Sequence, residues 1–151
     1  MEIIADPAIP AAIFDDVGRG LSVLIVDDEP HVRVYLRMMM RKLGVETTWE
    51  VGCGEDAVEL YQQHQPDVVL LDVNLPFVPG TEILRRLLEI DPEAAVIVVT
   101  SDQSGETIRE VCELGAMSYV LKQLPPIQMK EVLADALTQV TPRSPRENNR
   151  V

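Results

Sequence analysis

The sequence predicts an α/β domain built on one doubly wound sheet of five parallel strands in the order 2-1-3-4-5, with five helices covering its two faces. Short apolar runs that suit strands alternate five times with amphipathic patterns that suit helices. The runs at 21–26, 68–71 and 94–99 are apolar at nearly every position, which is typical of parallel strands buried on both faces. The 151 residues, 46% of them hydrophobic, suffice for one core of ordinary size.

The first half of the chain supplies two strand–helix units. A strand over 21–26 stops at Asp27, and a helix starts at Pro30, a residue that the first helical turn tolerates. The helix has apolar residues at three- and four-residue steps and ends before Gly44, a common C-terminal signal. The next strand, over 45–51, is more polar, contains Trp49 and is predicted to lie at an edge of the sheet. A short helix then runs over 55–64. The two units span 21–43 and 45–64.

The second half repeats the pattern three times. The third strand runs into Asp72, and the turn after it ends at Gly80. The helix that follows is broken before Pro92, and the next helix is stopped by Gly115. The fifth strand ends at Lys122, before a last amphipathic helix. The predicted strands here are 68–71, 94–99 and 117–121, and the predicted helices are 81–90, 104–114 and 127–140.

The predicted domain covers 21–141. Residues 1–20 show no sustained period and contain two prolines and two glycines, so they are predicted to form an N-terminal arm. Residues 142–151 are polar, with two prolines and two adjacent asparagines, and are predicted to be a disordered tail. Since no second domain fits after 141, we expect a stand-alone domain whose effector is another molecule.

The formal charge is −12, and most of it lies in 21–141. Such an acidic surface repels a phosphate backbone and an anionic membrane, so we expect no direct nucleic-acid binding and no membrane insertion. The two cysteines, Cys53 and Cys112, form no metal-binding spacing and are interpreted as free thiols of a reducing compartment. Because the N-terminus lacks the basic start of a signal peptide, we expect a cytoplasmic protein.

Aspartates follow two of the buried strands where each strand ends. Asp27 and Asp28 follow the first strand, and Asp72 follows the third. In the predicted order these ends flank the crevice where ligands bind, so the three carboxylates are expected to lie close together. Like charges at such a separation require a cation, and oxygen ligands suit Mg²⁺, which also binds phosphate groups. The alternative is that each aspartate only caps the helix or turn after it.

The other strand ends carry groups that bind a phosphoryl oxygen. Thr100 ends the fourth strand with a hydroxyl, Ser101 beside it is small enough to leave the crevice open, and Lys122 ends the fifth strand with a point charge. A carboxylate in such surroundings can act as a nucleophile toward phosphorus, because aspartyl phosphates are known covalent intermediates. Each of these residues alone is more often structural, and their common position indicates phosphoryl chemistry.

The motifs at these positions resemble those of the receiver domain of two-component response regulators, the chemotaxis-type phosphorylation switch. They read LIVDDEP around Asp27, LLDVNLPFVPG around Asp72, VVTS ending at Ser101 and YVLK ending at Lys122. Their order and spacing match the family, and the resemblance covers about residues 21–140. It implies a flavodoxin-like fold and a role in phosphorelay signalling.

The resemblance implies a phosphoacceptor and a metal site. Asp72 would attack the phosphohistidine of a partner kinase or a small phosphodonor. Asp28, Asp72 and the backbone carbonyl of Asn74 would hold Mg²⁺, with Asp27 acting through water. The chain would then phosphorylate itself from a donor in the presence of Mg²⁺ and lose the phosphoryl group slowly, without being a turnover enzyme in the usual sense.

The resemblance also implies a switch. Lys122 would contact the phosphoryl group, and Thr100 would swing toward it. Tyr119 would follow Thr100 inward and reshape the face made by the fourth helix, the fifth strand and the fifth helix. The expected partners are a sensor histidine kinase or a histidine phosphotransfer protein, together with a downstream protein effector.

One residue departs from the family pattern. Gln123 stands where the family usually has a proline in a cis peptide bond. A cis bond before a non-proline residue costs about 2.5–4 kcal/mol, so the Lys122–Gln123 bond is predicted to be trans. Gln123 keeps open a second hypothesis, a receiver-like scaffold that binds proteins without phosphorylation. A phosphatase with an aspartyl nucleophile ranks lower, because similar enzymes carry a second acid where this chain has Asn74.

Overall fold

The computed structural model describes residues 16–143 and confirms the predicted sheet. Five parallel strands pair in the order β2-β1-β3-β4-β5. The strands are β1 Ser22–Val26, β2 Thr47–Val51, β3 Val68–Leu71, β4 Val96–Thr100 and β5 Ser118–Leu121. The helices are α1 Pro30–Lys42, α2 Gly54–His64, α3 Gly80–Ile90, α4 Gly105–Leu114 and α5 Pro126–Leu137. These bounds differ from the predicted ones by at most three residues, the usual uncertainty of element ends.

The helices begin and end where the sequence signals it. Pro30 is the first residue of α1, and Gly44 follows that helix with a left-handed φ of 98°. Ser104 precedes α4, and its hydroxyl accepts a hydrogen bond from the backbone N–H of Thr107 at 3.1 Å. Gly115 ends α4 with a φ of 112°, which an L side chain rarely adopts.

Alternate residues of the strands fill two hydrophobic layers. Val23 and Ile25 face one layer, which also contains buried side chains of α1 and α5. Leu24 and Val26 face the other layer, which contains buried side chains of α2, α3 and α4. The sheet is therefore covered on both faces, as its apolar strands predict. In the part of the chain from 16 to 143, no helix is both long enough and apolar enough to cross a membrane.

Strand β2 lies at one edge of the sheet, as its polar composition predicts. Its five residues are exposed or only partly buried, whereas all five residues of the neighbouring β1 are buried. The Trp49 ring stacks on the ring of His64, with centroids 4.8 Å apart. This contact covers part of the edge strand with the end of α2.

The amino ends of β1 and β3 adjoin a polar network that is buried at Asp67 and partly exposed at Arg143 and Asp91. Asp67 is buried and accepts hydrogen bonds from the backbone N–H of Ser22 at 2.7 Å and from that of Arg143 at 2.9 Å. The guanidinium of Arg143 contacts Asp91 and the Tyr61 hydroxyl, and that hydroxyl donates to Asp91 at 2.8 Å. The chain after α5 is thus attached to the amino ends of the strands.

The domain boundaries stay predictions. Residue 143, which falls in the predicted tail 142–151, belongs to this network, and residues 144–151 lie outside the described part. At the other terminus Val17 packs against the core, and the N–H of Gly18 donates to the Leu43 carbonyl at 2.7 Å. The remainder of the predicted arm, residues 1–15, also lies outside the described part.

Candidate functional site

Three charged residues stand at the carboxyl edge of the sheet, each one residue beyond its strand. Asp27 follows β1, Asp72 follows β3 and Lys122 follows β5, and the backbone N–H of each donates to a carbonyl of the neighbouring strand. The acceptors are Val51, Val26 and Thr100, at 3.2, 3.0 and 2.9 Å. The sheet ladder therefore continues past the strand ends and fixes all three backbones beside the crevice.

The Lys122 ammonium lies among three carboxylates. Its Nζ is 2.8 Å from Asp27 Oδ2, 2.9 Å from Asp72 Oδ2 and 3.1 Å from Glu29 Oε1. Asp27 and Asp72 are buried, whereas the Glu29 side chain is about half exposed. The structure thus brings together three predicted site residues and adds Glu29.

The environment of Asp27 disfavours its charged form. Its Oδ1 accepts a hydrogen bond from the Glu29 N–H at 2.9 Å. Its Oδ2 is buried beside Lys122 as an ion pair, but no hydrogen bond of acceptable geometry reaches it from the described residues. Burial raises the pKa of Asp27, and the contacts with Lys122 and the Glu29 N–H lower it by less. A buried carboxylate oxygen left in this state is unusual and indicates a place for a cation.

The pKa of Lys122 is also raised, but by its ionic contacts and not by burial. Burial alone would lower its pKa, but the contacts with Asp27 and Asp72 outweigh that effect, so the pKa of Lys122 is raised. The ammonium is therefore fully charged at physiological pH. It supplies a permanent positive charge 2.9 Å from Asp72.

The loop after Asp72 orients the carboxylate. The backbone N–H of Asn74 donates to Asp72 Oδ1 at 3.0 Å, so the two oxygens of Asp72 have different partners. Gly80 begins α3 in close contact with this loop, and a Cβ there would lie 2.3 Å from both the Asp72 carbonyl oxygen and the Val73 Cα. Only glycine permits this approach. The loop is thus tightly packed against the base of the candidate site.

A chain of hydrogen bonds leads from Thr100 toward β5. The buried Thr100 Oγ1 accepts from Asn74 Nδ2 at 3.4 Å and from the backbone N–H of Asp102 at 3.3 Å. The Tyr119 hydroxyl donates to the Asp102 carbonyl. Thr100 and Tyr119 therefore share Asp102 as a neighbour, which connects the crevice to α4 and β5.

Gln123 links two loops at the rim of the crevice. Its Nε2 donates to the Ser101 carbonyl at 3.0 Å, and the Lys122–Gln123 bond is trans, as predicted. The loop after Thr100 is thereby connected to the loop after Lys122.

Comparison with known proteins assigns the family. The sequence profile of the response regulator receiver domain matches residues 23–134. The chain belongs to this family. The chemotaxis protein CheY of Thermotoga maritima is 32% identical over 114 residues, which are 76% of this chain and 95% of that protein. Sporulation initiation phosphotransferase F of Bacillus subtilis is 34% identical over 120 residues, which are 80% of this chain and 93% of that protein.

Solved structures agree with this assignment of the receiver domain. A chain of the CheX-CheY-BeF3-Mg²⁺ complex from Borrelia burgdorferi superposes with a TM-score of 0.72 at 26% identity, covering 76% of this chain and 87% of that one. A LuxR-family response regulator from Aurantimonas superposes with a TM-score of 0.73 at 28% identity, covering 86% and 97%. The fold and the place in two-component signalling are therefore as the motifs imply.

The acidic pocket of this receiver domain fits a hard divalent cation. Carboxylate oxygens of Asp27, Glu29 and Asp72 lie within 4.8 Å of one another. Mg²⁺ binds such oxygens at about 2.1 Å, so opposite ligands lie about 4.2 Å apart. Oδ2 of Asp27, whose partner here is the Lys122 ammonium, has no hydrogen bond from the described residues and could also contact a cation. Magnesium binding at an acidic pocket is typical of receiver domains.

Two predicted metal ligands lie outside this group of carboxylates. Asp28 is exposed, and the group of carboxylates that the described residues form contains Glu29 instead. Asn74 contacts Asp72 through its N–H. The ligand roles of Asp28 and of the Asn74 carbonyl stay predictions. Glu29 was missed, and its signal in the sequence is a spacing of two residues from Asp27 at the end of a strand.

Proposed function

We propose that this receiver domain accepts a phosphoryl group on Asp72 and thereby changes its binding to a downstream protein. The donor is a sensor histidine kinase or a histidine phosphotransfer protein. The observation that carries the proposal is the 2.9 Å contact between Lys122 and Asp72 inside a pocket of three carboxylates. This arrangement orients one carboxylate and supplies positive charge where phosphoryl oxygens would lie.

The transfer step requires a nucleophile and charge neutralisation. A carboxylate oxygen of Asp72 attacks phosphorus, and the new O–P bond forms as the P–N bond of the phosphohistidine breaks. The bonding pair remains on the departing imidazole, which takes up a proton. Lys122 contacts a phosphoryl oxygen, and Thr100 donates its hydroxyl to another. Bound Mg²⁺ would neutralise the remaining phosphoryl charge, held by Asp28, Asp72 and the Asn74 carbonyl, with Asp27 acting through water.

The switch uses two hydrogen bonds to the backbone of Asp102, one from each side, which link Thr100 to Tyr119. A phosphoryl group adds up to about two negative charges and three acceptor oxygens, which attract the Thr100 hydroxyl. Since Thr100 contacts the Asp102 N–H and Tyr119 contacts the Asp102 carbonyl, movement of Thr100 alters the support of Tyr119. Reversing a 1:99 population requires about 5.5 kcal/mol, which a few charge-assisted hydrogen bonds can supply. The expected output face comprises α4, β5 and α5.

The test is phosphorylation with acetyl phosphate and Mg²⁺, followed by intact-mass spectrometry. The wild type and the control Asp56→Asn, a change at an exposed residue of α2, should each gain one phosphoryl group, whereas Asp72→Asn should gain none. Hydrogen exchange with beryllofluoride should show changes in α4, β5 and α5 of the wild type and of Asp56→Asn, but not of Asp72→Asn.

The competing functions give different results. If Asp72→Asn shows the same exchange changes and partner binding as the wild type, the chain is a phosphorylation-independent scaffold. Release of many phosphate equivalents per protein would identify a phosphatase.

A further inference from the structure

Glu29 lies at the rim of the acidic pocket, directly before α1. Its backbone is extended, with φ −92° and ψ 113°. Its Oε1 is 3.1 Å from Lys122 Nζ, and one of its oxygens lies within 4.8 Å of ligand oxygens of Asp27 and Asp72. The side chain is 49% exposed, so it is accessible from solvent.

The turn after β1 gives Glu29 this position. Its N–H donates to Asp27 Oδ1 at 2.9 Å, and Arg33 Nη1 donates to the Asp27 carbonyl at 2.6 Å. These two bonds fix the segment between β1 and α1. The side chains of Asp27 and Glu29 both contact the Lys122 ammonium, so both face the pocket. Asp28, the residue between them, is exposed.

The charges in the pocket do not balance without a further cation. Three carboxylates contact one ammonium, which leaves a formal charge of −2 when all three are ionised. Asp27 Oδ2 belongs to a residue of 1% exposure and has no hydrogen bond from the described residues, and its partner is the Lys122 ammonium 2.8 Å away, which it shares with the other two carboxylates. Both observations point to a doubly charged ligand at the position that Glu29 borders.

We propose that Glu29 contributes to the coordination shell of the divalent cation, either directly or through a coordinated water. The inference rests on the proposed cation site and adds Glu29 to the ligands that the resemblance implies. Because Glu29 is the exposed member of the group, it is the first carboxylate that an entering cation meets. The negative charge of Glu29 attracts the bound cation and so raises the affinity of the pocket for Mg²⁺.

Isothermal titration calorimetry with MgCl₂ tests the proposal without any phosphodonor. Glu29→Gln removes the charge and keeps the size, and it should bind Mg²⁺ about tenfold more weakly, since it removes one unit charge beside a doubly charged ion. Glu46→Gln, at an exposed residue before β2, is the matched control and should bind as the wild type does. Electron paramagnetic resonance of free Mn²⁺ should reproduce the difference between the two variants.

Each outcome decides between the two proposals. If Glu29→Gln binds Mg²⁺ as tightly as the wild type while Asp72→Asn binds it weakly, Glu29 is not a ligand, and the proposed function stands. If the wild type itself binds no Mg²⁺, the proposed function fails as well. Circular dichroism of each variant checks folding, and Glu29→Ala provides a second substitution that should weaken binding in the same direction.

Discussion

Two buried aspartates stand at opposite ends of the central strands, and their surroundings differ. Asp67, at the amino end, accepts hydrogen bonds from both the N–H and the hydroxyl of Ser22 and from the Arg143 N–H. Asp27, at the carboxyl end, has one oxygen bonded to the Glu29 N–H and another that no hydrogen bond reaches. The two residues are almost equally buried, at 4% and 1% exposure. The extent of burial therefore does not distinguish the two residues. They differ in whether hydrogen bonds reach both carboxylate oxygens.

This difference between Asp67 and Asp27 assigns the amino end of the strands to stability and the carboxyl end to function. A buried carboxylate with a complete set of donors connects distant segments and favours one folded arrangement. A buried carboxylate with a missing donor destabilises the folded state until a ligand supplies what is missing. At the amino end the carboxylate oxygens are hydrogen-bonded within the domain, whereas at the carboxyl end one oxygen remains able to bind a ligand. Substitutions at the two ends should have opposite effects on stability.

The largest effect is expected at the amino end. Asp67→Ala should lower the free energy of unfolding by about 3 kcal/mol, because it leaves the buried N–H of Ser22 and the N–H of Arg143 without their acceptor. Urea denaturation measures the loss. Asp67→Asn is the control and should lose less, since its carbonyl oxygen still accepts. A change in Mg²⁺ affinity that accompanied the loss would contradict the separation of the two ends.

The opposite sign is expected at the carboxyl end. Asp27→Asn should raise the free energy of unfolding by about 1.5 kcal/mol in the absence of divalent cations, because it removes one buried charge from a pocket in which three carboxylates share a single ammonium. Lys122 keeps Asp72 and Glu29 as partners in this variant. Saturating Mg²⁺ should cancel or reverse this advantage, since the wild type binds the cation more tightly. Thermal unfolding with EDTA and then with MgCl₂ compares the two conditions. A destabilised variant in EDTA would show that the pocket is already balanced.

The difference in stability between Asp27→Asn and the wild type should depend on pH. The pKa of Asp27 is raised in the folded state above its ordinary value of 3.8, so protonation favours the folded state. This contribution to stability is fully present below pH 3.8 and is lost as the pH rises through the raised pKa. The advantage of Asp27→Asn should therefore be small at low pH and grow until that pKa is passed. An advantage independent of pH would assign the effect to packing.

The sequence predicts the fold and the centre of the site for a physical reason. Parallel strands bring their carboxyl ends to one edge, so Asp27, Asp72 and Lys122 meet wherever the backbone takes this topology. The position of Glu29 depends instead on a turn fixed by side-chain hydrogen bonds, which composition and periodicity do not reveal. Arg143 is missed for a related reason, because its partners lie far away in the sequence and the surrounding segment is polar and rich in proline.

A smaller loss is expected from the attachment of the chain after α5. Arg143→Ala should lower the free energy of unfolding by about 1 kcal/mol, since it removes a partly exposed ion pair with Asp91 and a hydrogen bond to the Tyr61 hydroxyl. The Asp67 carboxylate keeps the backbone N–H at 143 in this variant. Arg109→Ala, in α4, is a control that lies outside the network. Beryllofluoride binding should be the same in all three proteins, and a weaker binding in Arg143→Ala would mean that the two ends are coupled.

The smallest change in stability is expected from a substitution of Gln123. The same substitution tests whether this residue affects ligand binding without affecting stability. Gln123 is exposed, so Gln123→Ala should alter the free energy of unfolding by about 0.5 kcal/mol or less. Its amide nevertheless connects the loop after Thr100 to the loop after Lys122. Beryllofluoride should therefore bind the variant about threefold more weakly, since the loss of one hydrogen bond loosens both loops. Gln103→Ala, at an exposed residue of the loop after β4, is the control. Unchanged binding would show that Lys122 alone sets the geometry, and that this trans loop contributes nothing in place of the usual proline.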